Sequence, residues 1–426
     1  MNENLNIFLA FSILVVFPCL IVLDKFAIIS LVYVVTLITL MCIVLSLPVR
    51  LILNTFFVYC TLSILLYILH VNTLPNWFGL TGPYGGIGTD DSRYFAAITD
   101  NLKLVPWGAR DYIGWKHWFS DFLNFIYPFP IKSPLQLQLF NLLGTTFIPY
   151  LSIKIAKKLN PKITNKRLIA LYIVILFCPF LNSNSLIIMR ESWVISGILF
   201  GFYAFLSRNN INLILAIIFT AYLRPASLGI MIFLIGLPFF LNLSYIKKFI
   251  FTIISLNVIP YTLLFIATNT DYGISGIIRQ EFIETFIYSL DSNSTIIKIY
   301  QLPFPLNFIV LPVFFFLLPF PDLSIITNEL FIPRFFLEKV LYSIYSIIPV
   351  SMIFAIFLQR RNRGLKLLIP IILGIIVIAL LSLQPRHKTM IQPLLYIYAF
   401  TFYKKHENIK IISFLYFLII SLFFFI

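Results

Sequence analysis

The chain has 426 residues, is 60% hydrophobic and only 11% charged, and carries a formal net charge of +15 with a mean hydropathy of +0.97. That balance excludes a soluble globular enzyme of this size. The placement of the charges excludes a nucleic-acid-binding face, because Lys and Arg sit in short connections between apolar runs.

Apolar runs recur along the whole chain, many near the ~20 residues a helix needs to cross a bilayer core. Backbone groups in lipid must be satisfied internally, so the spanning units are helices. The expectation is an all-α polytopic transmembrane bundle of about 13 spans, within a range of about 12–14. They fall near 6–23, 26–47, 51–70, 136–153, 168–187, 191–207, 210–223, 226–244, 249–267, 340–358, 366–384, 389–403 and 410–426. The chain, 1–426, reads as one integral membrane domain. No Lys or Arg precedes Lys25, and no small-residue cleavage site follows the first apolar run. Ile7 to Val22 therefore reads as a retained helix and not a signal peptide. Cys19, Cys42, Cys60 and Cys178 all lie in apolar runs, which argues against a disulfide framework and a metal site.

The basic clusters set the orientation. They are Lys154/Lys157/Lys158/Lys162/Lys166/Arg167, Lys247/Lys248, Arg360/Arg361/Arg363/Lys366 and Lys404/Lys405/Lys410. Cytoplasmic loops carry such an excess. With Arg50 and Arg208, that side holds 17 of the 31 basic residues and, of the acids, only Glu3 and Glu407, so the other side is neutral. A multi-pass protein of the bacterial inner membrane is expected, with its N-terminus cytoplasmic and its site periplasmic.

Two loops, 71–135 and 268–305, then lie outside. Asn307 to Phe320 is apolar but short, and Pro303, Pro305, Pro319 and Pro321 flank it. Full crossing would put Gln359 to Lys366 outside, so 306–338 reads as a re-entrant hairpin on the outer side. An extra pair of spans fits equally well.

The first outer loop holds Trp77, Trp107, Trp115 and Trp118 with Tyr84, Tyr94, Tyr112 and Tyr127. Such residues prefer the membrane–water interface. "WGARDYIGWKHWFSDFLNFIY" (107–127) has aromatics at helical spacing, which predicts an interfacial amphipathic helix. It serves as an anchor, or as a platform for sugar rings, with Tyr94, Trp115, His117 and Trp118 in contact with them.

"GGIGTDDSRYFAAI" (85–98) places two adjacent carboxylates after a glycine-rich turn. Thr89 can cap the following helix, and a carboxylate in its first turn is favoured by the helix dipole. That accounts for one acid more comfortably than two. Neighbouring helix residues point about 100° apart, so Asp90 and Asp91 can divide capping from chemistry. The stretch is not a dinucleotide fingerprint, since Asp91 stands where the last glycine belongs.

Cations form a second constellation. Arg190-Glu191, Arg224 and Arg386-His387-Lys388 each stand at the outer end of a span. A lone Arg there snorkels to headgroups. Several together suit a diphosphate, because Arg gives bidentate contacts to phosphate oxygens. Arg93 and Arg279, with Glu281 and Glu284, are weaker candidates. No zinc spacing, nucleophile elbow or P-loop occurs.

In these features the chain resembles polytopic bacterial membrane glycosyltransferases of the GT-C type, which use polyprenyl-phosphate or polyprenyl-diphosphate sugars. "GTDDSRYFAAI" is similar to their acidic pair in a long outer loop, although that loop typically follows the first span and here follows the third. "RHKTMIQPLLYIYAF" is similar to their late basic cluster before a helix. The chain also resembles O-antigen and capsule polymerases of the Wzy group, and Arg190 to Gly201 fits the R-x10-G pattern described for one of them.

The resemblance implies a transferase that joins undecaprenyl-diphosphate-linked repeat units. Asp90 or Asp91 would act on the acceptor hydroxyl, and Arg190, Arg224, Arg386 and Lys388 would hold the diphosphate. It implies a polyprenyl-linked glycan, membrane lipid and a chain-length regulator as partners, and no nucleic acid. No cofactor is required, though a divalent metal could bridge the Asp pair and the phosphates. A single-sugar transferase using a polyprenyl-phosphate donor is the nearer alternative, and a lipid-linked glycan flippase the more distant one.

Overall fold

The computed structural model describes residues 2–73, 94–95, 98, 117–127, 129, 133–179, 181–182, 186, 188, 190–224, 227–236, 244, 302–303, 306, 310, 371–372 and 389–402. These residues are predominantly helical, with no strand among them. The helices are α1 (Asn2–Leu23), α2 (Ala27–Val44), α3 (Val49–Thr73), α4 (His117–Ile126), α5 (Pro134–Thr146), α6 (Ile148–Leu159), α7 (Asn165–Leu176), α8 (Glu191–Leu206), α9 (Asn210–Leu223), α10 (Ser227–Met231) and α11 (Gln392–Phe402). The expected all-α class holds for them. The spans expected at 191–207 and 210–223 are α8 and α9, and the one expected at 136–153 is α5 running almost directly into α6. The expected helix over 107–127 is described only as α4, its C-terminal half. The stretches expected at 6–23, 26–47, 51–70, 168–187 and 389–403 are helical as α1, α2, α3, α7 and α11, with α7 ending early at Leu176, and the one at 226–244 is described mainly at 227–236. Those at 249–267, 340–358, 366–384 and 410–426, and the hairpin at 306–338, lie wholly or mainly outside the described residues.

The chain divides into two compact units. One comprises 1–231, 319–364 and 389–426, and the other 232–318 and 365–388. All eleven helices belong to the first. The described part of the second is a π-helical turn, Ile232–Gly236, and scattered residues.

Two of the described stretches are long and apolar enough to cross a membrane, Ala27–Val44 and Pro134–Leu159. α2 is apolar on every side. Leu31, Val34 and Ile38 are buried, whereas Ile29, Val32, Leu40 and Ile43 are exposed. α5 is the opposite case, since every residue after Pro134 is buried. It is the central helix, packed by α2, α3 and α8.

Local chemistry explains where the helices begin and end. Ser133 caps α5 reciprocally: its Oγ accepts from the Gln136 N–H, the Gln136 side chain accepts from the Ser133 N–H, and proline fills the first turn. The same Ser133 hydroxyl donates to Asp24 Oδ2, and Asp24 Oδ1 accepts from the Phe26 N–H, so one carboxylate ties the α1–α2 turn to the start of α5.

α2 and α8 both end in a Schellman turn. Leu47 N–H bonds the Cys42 carbonyl and Ser46 N–H that of Ile43. Asn209 N–H bonds the Ala204 carbonyl and Arg208 N–H that of Phe205. The left-handed residue in each is not glycine but Ser46 (φ 52°) and Arg208 (φ 57°). Asn209 then caps α9 at once through the Asn212 N–H. α8 and α9 thus form a hairpin with almost no loop.

The hairpin is closely packed. A Cβ on Gly197 would lie 2.3 Å from Thr220 Cγ2, and one on Gly201 would lie 3.1 Å from Ala216 Cβ and 2.3 Å from Met231 Cε. Small residues four apart on each helix let the backbones approach. Gly201, read above as part of an R-x10-G pattern, has this packing role in α8.

The tight connections at 45–48, 160–164 and 207–209 fall at one end of the bundle. Arg50, Lys157, Lys158, Lys162, Lys166 and Arg208 are exposed there. Asp24, α4, Ser133, Arg190, Glu191 and Arg224 gather at the other end.

Candidate functional site

The interior at this second end is polar, and α5 makes it so. "PLQLQLFNLLGTT" carries Gln136, Gln138, Asn141, Thr145 and Thr146, all buried. Buried polar groups need partners. Gln138 Nε2 donates to Ser63 Oγ at 2.6 Å and to the Ser63 carbonyl at 3.2 Å, and Ser63 Oγ donates onward to the Leu186 carbonyl at 3.0 Å. These bonds join α3, α5 and the segment that leads to Arg190.

One turn further along α5, Trp193 Nε1 donates to Asn141 Oδ1 at 2.8 Å. The indole can lie there because residue 144 is glycine. A Cβ at that position would stand 2.9 Å from the ring. Ser196 Oγ donates to the Gly144 carbonyl. Phe122 of α4 and Phe219 of α9 pack edge-on to the indole, with centroids 5.1 and 6.4 Å away. Trp193 is thus where α4, α5, α8 and α9 meet.

The charged groups sit beside it. Arg224 Nη1 donates to Glu191 Oε1 at 3.1 Å, and the two side chains are only 6% and 3% exposed. Arg190, the residue before α8, is 6% exposed. Each member of the pair occupies the helix end its charge prefers. Glu191 lies in the first turn of α8, and Arg224 is the C-cap of α9. Ser227 Oγ lies within hydrogen-bond distance of the Arg224 carbonyl (2.6 Å) and the Thr220 carbonyl (2.9 Å), which fixes the chain after Arg224.

Of the residues chosen on sequence, the structure pairs Glu191 with Arg224 and buries Arg190, the residue before Glu191. Tyr94 is buried, its ring edge-on to Phe119 at 4.9 Å. His117 and Trp118 open α4. Asp90, Asp91, Arg93, Trp115, Arg279, Arg386, His387 and Lys388 lie outside the described residues. Sequence reasoning missed Asn141, Gly144 and Trp193. The available signals were three amides inside an apolar run and the one tryptophan outside loop 71–135.

Compared with known proteins, the chain matches no family model, no curated protein and no solved structure.

Proposed function

We propose that the protein is a multi-pass inner-membrane glycosyltransferase that joins undecaprenyl-diphosphate-linked oligosaccharide repeat units on the periplasmic face. On this reading it is an O-antigen or capsule polymerase. The observation that carries the reading is the burial of Arg190, Glu191 and Arg224 together at one end of a helical bundle. Ionisable groups inside such a bundle are costly, and they mark substrate sites. Two guanidiniums offer planar forks to phosphate oxygens and stabilise the charge that develops on a departing diphosphate.

Two further features support the membrane setting. α2 is apolar on all sides, the pattern of a helix surrounded by protein and lipid and not by water. Among the described residues, exposed Arg50, Lys157, Lys158, Lys162, Lys166 and Arg208 lie at the end opposite the arginines, against exposed Lys25 at theirs, the bias expected when that end faces the cytoplasm. The acceptor hydroxyl is met by the Asp90/Asp91 pair, which orients or deprotonates it. A transporter would place its ionisable groups near the bilayer midplane, where substrates bind. Among the described residues the buried charged groups, Arg190, Glu191 and Arg224, lie toward one end.

The test is the surface polysaccharide of a strain lacking the gene, run as a gel ladder. Collapse to core plus one repeat unit is the expected outcome. Loss of even the first unit would assign the protein to single-sugar transfer or flipping. An unchanged ladder would exclude the pathway.

A further inference from the structure

We infer that Glu191 is the group that takes the proton from the acceptor sugar's hydroxyl, and that its ion pair with Arg224 couples this transfer to departure of the lipid diphosphate. The inference rests on the polymerase reading above and assigns to Glu191 the deprotonation that sequence reasoning gave to the Asp pair.

It starts from an asymmetry within one carboxylate. Glu191 Oε1 accepts from Arg224, whereas Oε2 is buried with no hydrogen-bond donor among the described residues. Of the buried side-chain atoms in that condition, it is the only carboxylate oxygen. Arginine and a carboxylate placed purely to fasten two helices can close as a fork, with both oxygens bonded. This pair makes a single contact at 3.1 Å and leaves the second oxygen open. A buried anionic oxygen needs a donor. A sugar hydroxyl is a donor of the right kind, and one whose proton the reaction must remove.

The step balances without a co-reactant. The acceptor O–H bond breaks and its proton goes to Glu191 Oε2. The freed electron pair forms the new bond to the donor's anomeric carbon, the bond from that carbon to phosphate oxygen breaks, and undecaprenyl diphosphate leaves with the electron pair. As Glu191 becomes neutral, its attraction for the Arg224 guanidinium falls. The positive charge is released to the phosphate oxygens at the moment they gain negative charge. The α8–α9 hairpin keeps Glu191 and Arg224 in register, so the coupling is built into the fold.

The test uses the full chain purified in detergent, with lipid-linked repeat units extracted from the deletion strain as substrate. Glu191→Gln, present in membranes at the wild-type level, is expected to slow turnover by ~10²–10⁴-fold. Its KM should stay within about threefold, because the ground-state contacts remain. The acid limb of the pH–rate profile should disappear in this variant. Glu191→Asp, which keeps a carboxylate but withdraws it, should lower kcat and keep the limb.

A Glu191→Gln variant that restores the ladder at wild-type turnover overturns the inference and leaves the polymerase reading intact. So does a slowed variant whose acid limb is unchanged, since Glu191 would then only fasten Arg224. If Glu191→Gln fails to accumulate, Glu191→Asp decides, and unchanged kcat with raised KM overturns the inference. An unchanged ladder in the deletion strain overturns both readings.

Discussion

Tyr127 Oη lies 2.6 Å from Ser30 Oγ, across 97 positions of sequence, and both groups are buried. With Tyr33 Oη donating to the Ile126 carbonyl at 3.2 Å, this bond closes the end of α4 onto α2. The loop that sequence reasoning placed on the membrane surface is therefore fastened into the bundle at its last turn.

The pair predicts an alkaline weakness. Burial pushes the Tyr127 phenol above its ordinary value of 10.0, the Ser30 bond opposes that, and the nearby Asp24 charge adds to it. Below the unfolded value the ring is neutral in both states and costs nothing. Above it the unfolded chain ionises first, so stability falls as pH climbs through the folded value. Tyr127→Phe should lose about 1 kcal/mol at neutral pH with the Ser30 bond. It should also flatten the decline beyond about pH 10. Thermal unfolding in detergent across that range reads both effects.

Gly197→Ala should destabilise the protein by about 1–3 kcal/mol, since its methyl collides with a β-branched side chain that cannot swing away. Gly201→Ala should cost less, because its nearest obstacle is the flexible end of Met231. Unfolding midpoints of the two variants check the order. Only Gly197→Ala is expected to impair turnover strongly, since it pushes apart the segment nearer Glu191 and Arg224.

Trp193→Phe and Asn141→Leu should not be additive. The 2.8 Å bond between them is worth about 1 kcal/mol, and a double-mutant cycle should return a coupling of that size. A coupling near zero would mean that Gly144 and the surrounding rings, not the bond, hold the indole.

Arg208→Gly should stabilise the protein by about 1 kcal/mol, because the left-handed conformation costs an L side chain that much and glycine nothing. Turnover should be unaffected, as Arg208 stands at the end of the hairpin away from Arg224. A raised unfolding midpoint with unchanged activity is the expected result.

The helical class and several helix ends were legible in the sequence, for physical reasons. Apolar length set α8 and α9, and Ser133-Pro134 with Gln136 carries the signature of a capped start. Arg190 and Arg224 were readable as neighbours because both stand at span ends on the same side. The ion pair between Glu191 and Arg224 was not, since hydropathy gives a helix its ends but not its rotation about its own axis. For the same reason Asn141 and Trp193 went unread. A polar residue in an apolar run has no address until the facing helix is known. The glycines misled in a different way. Gly201 looked like half of a spaced motif, and its place in α8 is explained by contact with Ala216 and Met231.

The near-absence of a loop between α8 and α9 makes the charge pair a matter of counting. Glu191 opens α8, Arg224 closes α9, and only Ser207, Arg208 and Asn209 lie between the two helices. One added residue in that turn would rotate α9 by about 100° relative to α8. It would carry Arg224 away from Glu191, although the change lies about 21–24 Å along the helices from the two charges. The length of this turn is thus as much a determinant of the site as the residues that form it. A variant that tolerates any substitution at Ser207 should still reject an insertion beside it.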